Sequence, residues 1–499
     1  MTVINKSMFP LSTGINNIMG IKQRYDKLQT QLASGLKASN LGEMGTDRYF
    51  DLALRQRIAN IESYQGNIKT VNLRLNVLDN TISRLNVIEA DSRASTMSGA
   101  GGQDSLNFET TPTLAAARFD EVLTLMNVDI AGRYMFGGSR TESKPVADPY
   151  DVLNGSGTRA GFKQVMGERR LADLGTSHLG RLTVGAATDT VTLAEDGTHP
   201  FGLKLAQIST TSANIATTPA AGAPPSLTVQ FGATLPIVGE TVTISFTLPD
   251  GSEESITMTA SADAAEEGAF EIGADANATA ANFQVALQAS VQKLAEGKMV
   301  AASSYAAADN FFFGQGETPM RVDGPPYDTA TGLVAGTPTN TVFWYKGEDS
   351  ANPRTSVTSK VGQGTTVAYG VQANEAGLVG LVRSLAAMAA QIFPQSDPTS
   401  ADRYAAMTSR NTSRLADSAT ASGSIEVIAV EMGLAKATAG AVGERHTDHK
   451  AQLGNMLDTI EQAPSEEVAM ELLALKTRLE ASYQTTALLS QLSLVNYLK

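Results

Sequence analysis

His446 and His449 stand three residues apart in a segment with helical periodicity, a spacing that can bring two imidazoles over one metal ion. Their neighbours Glu444, Arg445, Asp448 and Lys450 read as an ordinary solvated face, and a structural metal asks for more ligands than two, so no metal site is assigned. His178 and His199 fall in loop-rich sequence and match no motif. The run Gly155-Ser156-Gly157-Thr158-Arg159-Ala160 spells the dinucleotide fingerprint Gly-x-Gly-x-x-Ala. That fingerprint works only between a buried strand and a helix, where its glycines let the backbone approach a pyrophosphate. Asp148-Pro149-Tyr150-Asp151 precedes it and Gly161 follows, so a glycine-rich loop is expected instead. The sequence holds no Gly-x-Ser-x-Gly elbow, Walker-type phosphate loop, His-Glu-x-x-His helix or calcium loop. No catalytic, cofactor-binding or metal residues are therefore expected, and the chain reads as a structural protein rather than an enzyme.

Composition points the same way. The 499 residues allow about three domains. The balance of 38 basic against 51 acidic residues gives a net charge of −13 with no offsetting basic block, which disfavours nucleic acid. Cysteine is absent, so disulfides and thiolate chemistry are excluded together. Residues 1–20 lack the basic start, unbroken apolar core and Ala-x-Ala site of a cleavable signal, and no stretch reaches the ~20 apolar residues of a membrane span.

What remains is the pattern of the helices. Ile61, Ile68, Leu75 and Ile82 recur every seven residues, as do Tyr64, Val71, Leu78 and Leu85. A seven-residue repeat keeps one apolar seam against a partner helix, so these eight positions are the expected coiled-coil core. A helix from about residue 47 to about residue 98 would be ~78 Å long. Leu73 and Val77 add a second apolar strip, predicting more than one neighbour. Ile18, Ile21, Tyr25, Leu28 and Leu32 form a shorter seam before it. Residues 99–102 read as a glycine-rich end to the long helix, and Ala115, Phe119, Val122 and Met126 mark a third helix stopping near Gly132.

From about residue 137 period-two alternation predicts strands. The clearest hairpin is Val242, Ile244, Phe246 and Leu248, a turn at Pro249-Asp250-Gly251-Ser252, and a return through Ile256 and Met258. Phe283, Leu287, Val291 and Leu294 predict a helix after it. Residues 213–225 read as a surface linker and 314–341 as a loose region. Helical periodicity returns near Glu375, and Ile425, Ile428, Met432, Ala435, Ala439 and Val442 continue into Leu453, Leu457 and Ile460. Pro464-Ser465-Glu466-Glu467 reads as the start of a last helix carrying Leu472, Leu475, Leu479 and Leu489.

The expected class is α+β: a long helical coiled-coil stalk made from both chain termini, with an inserted β-rich middle head. Residues 1–40 and 465–499 are the terminal helical arms, 41–140 and 375–464 a helical bundle, and 141–374 one or two β-rich outer modules. Apolar stripes at both chain ends are unusual in a monomer, where ends tend to fray. Ile18, Ile21, Tyr25, Leu28, Leu32, Leu472, Leu475, Leu479 and Leu489 are therefore the expected assembly interface, ordered when neighbouring copies complete their burial.

Specific stretches carry a resemblance. Leu32-Ala33-Ser34-Gly35-Leu36-Lys37, the heptad helix, Gly132-Arg133-Tyr134-Met135-Phe136-Gly137-Gly138-Ser139, Tyr345-Lys346-Gly347-Glu348-Asp349 and Leu479-Glu480-Ala481-Ser482-Tyr483-Gln484 resemble the bacterial flagellin and hook-associated family. The likeness covers roughly the first 145 and last 125 residues. Leu41-Gly42-Glu43-Met44-Gly45-Thr46-Asp47-Arg48 stands where flagellins usually carry Arg-Ile-x-Ser-Ala-x-Asp-Asp-Ala-Ala-Gly-Leu, which favours the hook-filament junction branch over a filament-forming flagellin. The resemblance implies an extracellular adaptor ring in the bacterial flagellum. Its implied partners are hook-associated protein type 1, flagellin, an export chaperone and other copies of itself. It further implies type III export without a cleaved signal and a role in motility.

Overall fold

The computed structural model describes residues 10–99, 105–263, 267–421 and 423–497, leaving out the side chains of residues 10, 11, 97–99, 105–107 and 489–497. The fold is α+β, with helix outweighing strand. The chain divides into two units. The first comprises Met1–Thr70, Lys360–Thr366 and Thr438–Lys499, and the second Val71–Ser359 and Val367–Ala437.

Helix α1 (Pro10–Ser34) opens the first unit. Gly35 ends it at φ +71°, a left-handed conformation that suits glycine, with its N–H on the Gln31 carbonyl at 2.8 Å. A turn follows in which the Glu43 carboxylate accepts from Ser39 N, Ser39 Oγ and Asn40 Nδ2 at 2.9 to 3.1 Å. Those hydrogen bonds hold the Glu43 carboxyl below its ordinary range. Helix α2 (Asp47–Gly99) begins directly after, close to its expected bounds. The glycine-rich end expected at residues 99–102 lies outside the described residues from 100 onward.

The second unit takes the rest of α2 and then α3 (Ser105–Met126), where Ala115, Phe119, Val122 and Met126 are all buried. This helix stops six residues before the expected Gly132. Asp129 and Ile130 instead form strand β1 (Asp129–Ile130), antiparallel to β2 (Arg133–Tyr134), with Gly132 in the turn at φ +77°. Helices α4 (Pro149–Asn154) and α5 (Phe162–Leu174) follow.

Two four-stranded sheets come next. The first, in spatial order β3-β4-β7-β6, uses β3 (Leu182–Ala187), β4 (Thr190–Glu195), β6 (Ile215–Ala221) and β7 (Ser226–Phe231). The second, in order β10-β9-β8-β5, uses β5 (Lys204–Thr210), β8 (Thr241–Thr247), β9 (Glu253–Ser261) and β10 (Ala269–Glu271). The β8–β9 hairpin has the expected pairing, Val242 with Met258 and Ile244 with Ile256. Helix α6 (Ala276–Leu294) carries Phe283, Leu287, Val291 and Leu294 into the core shared with both sheets. There Phe231, Phe270 and Phe283 meet edge to face, with centroids 5.1 to 5.8 Å apart.

The expected linker at 213–225 is a strand in its middle. β6 buries only Ile215, and as the edge strand of its sheet it tolerates Pro219 and a polar face, so it lacks the alternation of its neighbours. Besides the expected α6, two further helices, α5 and α7 (Val300–Phe311), run through the middle. Helix α7 is buried over ten of its twelve residues, many of them Ala or Ser, so it has no polar face to reveal a period. In α5 the charges of Glu168, Arg169 and Asp173 lie on the buried side, where Arg169 Nε donates to Asp173 at 2.9 Å. The loose region at 314–341 contains a short antiparallel pair, β11 (Met320–Val322) and β12 (Leu333–Ala335).

Helices α8 (Pro353–Ser356), α9 (Ala376–Ala389) and α10 (Ser400–Thr420) complete the helical side of this unit. Trp344 is fully buried in this unit, and its indole N–H donates to the Phe313 carbonyl at 3.1 Å. Arg410 on α10 donates to the buried Asp250 carboxylate and to Ser252 Oγ, both 3.1 Å away, and so grips the tip of the β8–β9 hairpin. Helix α11 (Ile425–Glu461) begins in this unit and ends in the first, where α12 (Ser465–Tyr497) follows with Glu466 and Glu467 in its first turn. Acids there complement the helix dipole.

Candidate assembly interface

In the first unit α1 and α12 run antiparallel. Arg24 pairs with Glu471, Leu28 packs on Val468 and Leu475, and Gly14 lies beside Thr486. Ile21, Tyr25, Leu472 and Ala463 flank that small core. The joint between α11 and α12 is fastened to the segment after α1. Lys37 N–H donates to the Glu461 carbonyl at 2.7 Å, Ala463 N–H to the Gly35 carbonyl at 2.9 Å, and Lys37 Nζ to the Thr459 carbonyl at 2.7 Å. The Leu32-Ala33-Ser34-Gly35-Leu36-Lys37 stretch is thus a mechanical fastening, in which the glycine frees the backbone to turn and bridge the C-terminal helices.

Further along the same unit, Leu54 and Ile61 on α2 pack on Leu453 of α11, with Ile58, Leu457 and Ile460 around them. Arg55 joins the fully buried Asp51 to Glu461. A hydrogen bond shared with Asp51 raises the Glu461 carboxyl above its ordinary range. His446 stacks on Tyr64 with centroids 5.6 Å apart, and its Nε2 donates to the Val361 carbonyl at 2.7 Å. His449 is exposed, and among the described residues no cluster of three or more His, Asp or Glu side chains is placed to hold a metal. The two histidines are a packing residue and a surface residue.

The Gly155 loop is also accounted for. Helix α4, not a strand, precedes it, and Ser156 bridges Arg159 in a tight turn. A helix does follow at Phe162, but a side chain at Gly161 would sit 2.2 Å from Gly155 N, so these glycines allow two backbone segments of the loop to approach closely.

Of the eight positions expected as coiled-coil core, the first unit buries Ile61 and Ile68 and half-buries Tyr64, and the second buries Val71, Leu75, Leu78, Ile82 and Leu85. In the second unit α2 is tied to α3 by Arg84 with Glu121 and to α11 by Lys436 with Asp79. The second strip is covered only in part: Val77 is half-buried and Leu73 is exposed.

The nine expected assembly positions divide. Leu28 and Leu475 are buried against each other's helix within one chain. Ile18, Ile21, Tyr25, Leu472 and Leu479 are half-buried, and Leu32 is exposed. The side chain of Leu489 lies outside the described residues. The two arms are therefore already paired, because Leu28, Val468 and Leu475 supply a local core. The surface left open is a different set: Ile15 and Met19 on α1, and Met470, Leu473, Tyr483 and Leu488 on α12. Leu473 is 63% exposed. Among the described residues, half of the exposed large apolar side chains lie in this unit, which holds little more than a quarter of the chain. Periodicity missed them because α12 is apolar on several faces. The density of Met470-Glu471-Leu472-Leu473-Ala474-Leu475 was the available signal.

Comparison of the chain with protein-family models, with curated proteins and with solved structures finds no match.

Proposed function

We propose that this chain is a structural component of the bacterial flagellum, an adaptor that joins hook to filament by side-to-side assembly of its terminal helices. The observation that carries the proposal is the paired α1 and α12 with apolar side chains left open on their outer faces. An exposed apolar patch of this kind is costly in a solitary soluble protein and ordinary in a subunit. The motifs that resemble the flagellin and hook-associated family supply the identity of the assembly. In this reading the terminal helices form a coiled-coil stalk in the tube wall and residues 141–374 an outer domain. Its partners are hook-associated protein type 1, flagellin, an export chaperone and further copies in a ring. The protein reaches the cell exterior by type III export and performs no catalysis.

Deleting residues 1–40 tests the proposal. Cells carrying the deletion should assemble hooks and shed flagellin monomers into the medium. Normal filaments on those cells would overturn the adaptor role. A filament that shortens but stays attached would indicate the alternative, a flagellin-type filament subunit.

A further inference from the structure

The two four-stranded sheets of the second unit end in the strands β3, β6, β5 and β10, and three of these edges are guarded against further pairing. Strand β6 carries Pro219, which has no N–H to donate, and its register shifts between Thr218 and Ala221. Strand β5 carries Lys204, shifts register between Leu205 and Gln207, and gives its Leu205 N–H to the Glu195 carboxylate at 3.1 Å. Strand β10 is three residues long, and its Glu271 carbonyl accepts from Asn282 Nδ2 at 3.1 Å.

Strand β3 has none of these guards. Its residues, Leu182-Thr183-Val184-Gly185-Ala186-Ala187, include no proline and no charge, and they pair with β4 without a shift. The alternation of hydrogen bonds fixes which backbone groups face outward. Asp196 N–H donates to the Arg181 carbonyl at 3.0 Å, and the same register sets Thr183 against Ala194 and Gly185 against Thr192, so the odd-numbered residues bond β4. The N–H and C=O groups of Val184 and Ala186 therefore point away from β4, and no described residue bonds them. Upstream this outer edge is occupied, because the Gly180 carbonyl accepts from Leu203 N–H at 2.9 Å. The open stretch is 184–186, where Gly185 and Ala186 are exposed and Val184 is half-buried against the core.

A row of alternating N–H and C=O groups is matched by the backbone of another extended strand. We propose that this strand is β3 of a second copy of the chain, paired antiparallel about a two-fold axis at Gly185. Val184 of each copy then exchanges N–H···O bonds with Ala186 of the other, and the two Gly185 residues form the close pair between them, with Cα atoms about 4.5 Å apart. The chain carries a net charge of −13, yet here two copies meet with no like charges opposed. β3 has no charge, and the nearest on either side, Arg181 and Asp189, have unlike signs and fall opposite each other in this register. A pairing this short buries far less than the roughly 1,200 Å² of a stable complex, so it is a weak contact that forms where copies are concentrated. It belongs to the second unit, not to the terminal helices, and does not rest on the flagellar reading.

The absence of cysteine makes a cross-linking test clean. A side chain at Gly185 would meet no atom within 4 Å, and its backbone is not left-handed, so substitutions there spare the fold. In the full-length chain at about 0.1 mM under mild oxidation, Gly185→Cys should form a disulfide-linked dimer about tenfold faster than Thr218→Cys on the guarded β6 edge. Adding Leu473→Ala to Gly185→Cys should leave that rate unchanged, which separates this contact from assembly through the terminal helices. Sedimentation at about 0.1 to 1 mM, on chains that all bear Leu473→Ala, gives the second readout. Gly185→Lys alone and Gly185→Glu alone should each lose self-association, and an equal mixture should regain it, because lysine then faces glutamate across the axis. Equal cross-linking at the two positions, self-association that survives Gly185→Lys, or no recovery in the mixture would overturn the proposal.

Discussion

Leu475 and Leu473 are two residues apart on α12 and face opposite fates. Leu475 is 6% exposed in the seam with α1, whereas Leu473 points outward. Truncating a buried leucine costs about 2 to 5 kcal/mol, and a site between only two helices can partly collapse, so Leu475→Ala should cost about 2 kcal/mol of local stability. That corresponds to roughly a thirtyfold rise in opening of the α1–α12 pair. Leu473→Ala should leave the isolated chain within about 0.5 kcal/mol of the parent. Amide hydrogen exchange on the monomer reads both: protection across α1 and the first half of α12 should fall in Leu475→Ala and persist in Leu473→Ala. Attachment of filaments to hooks should show the other side, with Leu473→Ala impaired although its monomer is intact. If the two variants exchange alike in the monomer, the division of α12 into an inner seam and an open outer face is wrong.

Other expectations concern the second unit. Asp250→Ala leaves Arg410 without its buried partner and should cost about 3 kcal/mol, read as a lower denaturant midpoint by Trp344 fluorescence; Glu253→Ala, exposed on the next strand, should change little. Glu89 is buried, and that burial raises its carboxyl pKa. A carboxyl whose folded pKa lies above its unfolded value of about 4.3 stabilises the fold below that value and loses the contribution as pH rises through the folded pKa. Glu89→Gln should therefore raise the melting temperature at neutral pH and flatten its decline above about pH 4, and an unchanged pH profile would contradict this.

The long helix α2 was legible because apolar residues fall on one narrow face among polar ones, and the β8–β9 hairpin because alternation and a Pro-Asp-Gly-Ser turn coincide. Helix α7 was illegible for the opposite reason: surrounded by protein, it has no solvent face to set a period. Strand β6 was hidden by its edge position, which asks for little burial. Periodicity also located the terminal stripes yet could not say which partner covers them. Leu28 and Leu475 meet inside the chain, and the residues left open, Met470 and Leu473 among them, break the very period that drew attention to their neighbours.

The most direct measurement is gold labelling of an epitope inserted in the exposed turn at residues 187–190, followed by electron microscopy of intact flagella. A single narrow band where hook meets filament is the predicted result. Label distributed along the filament, or none on flagella of cells that express the protein, would contradict the adaptor role.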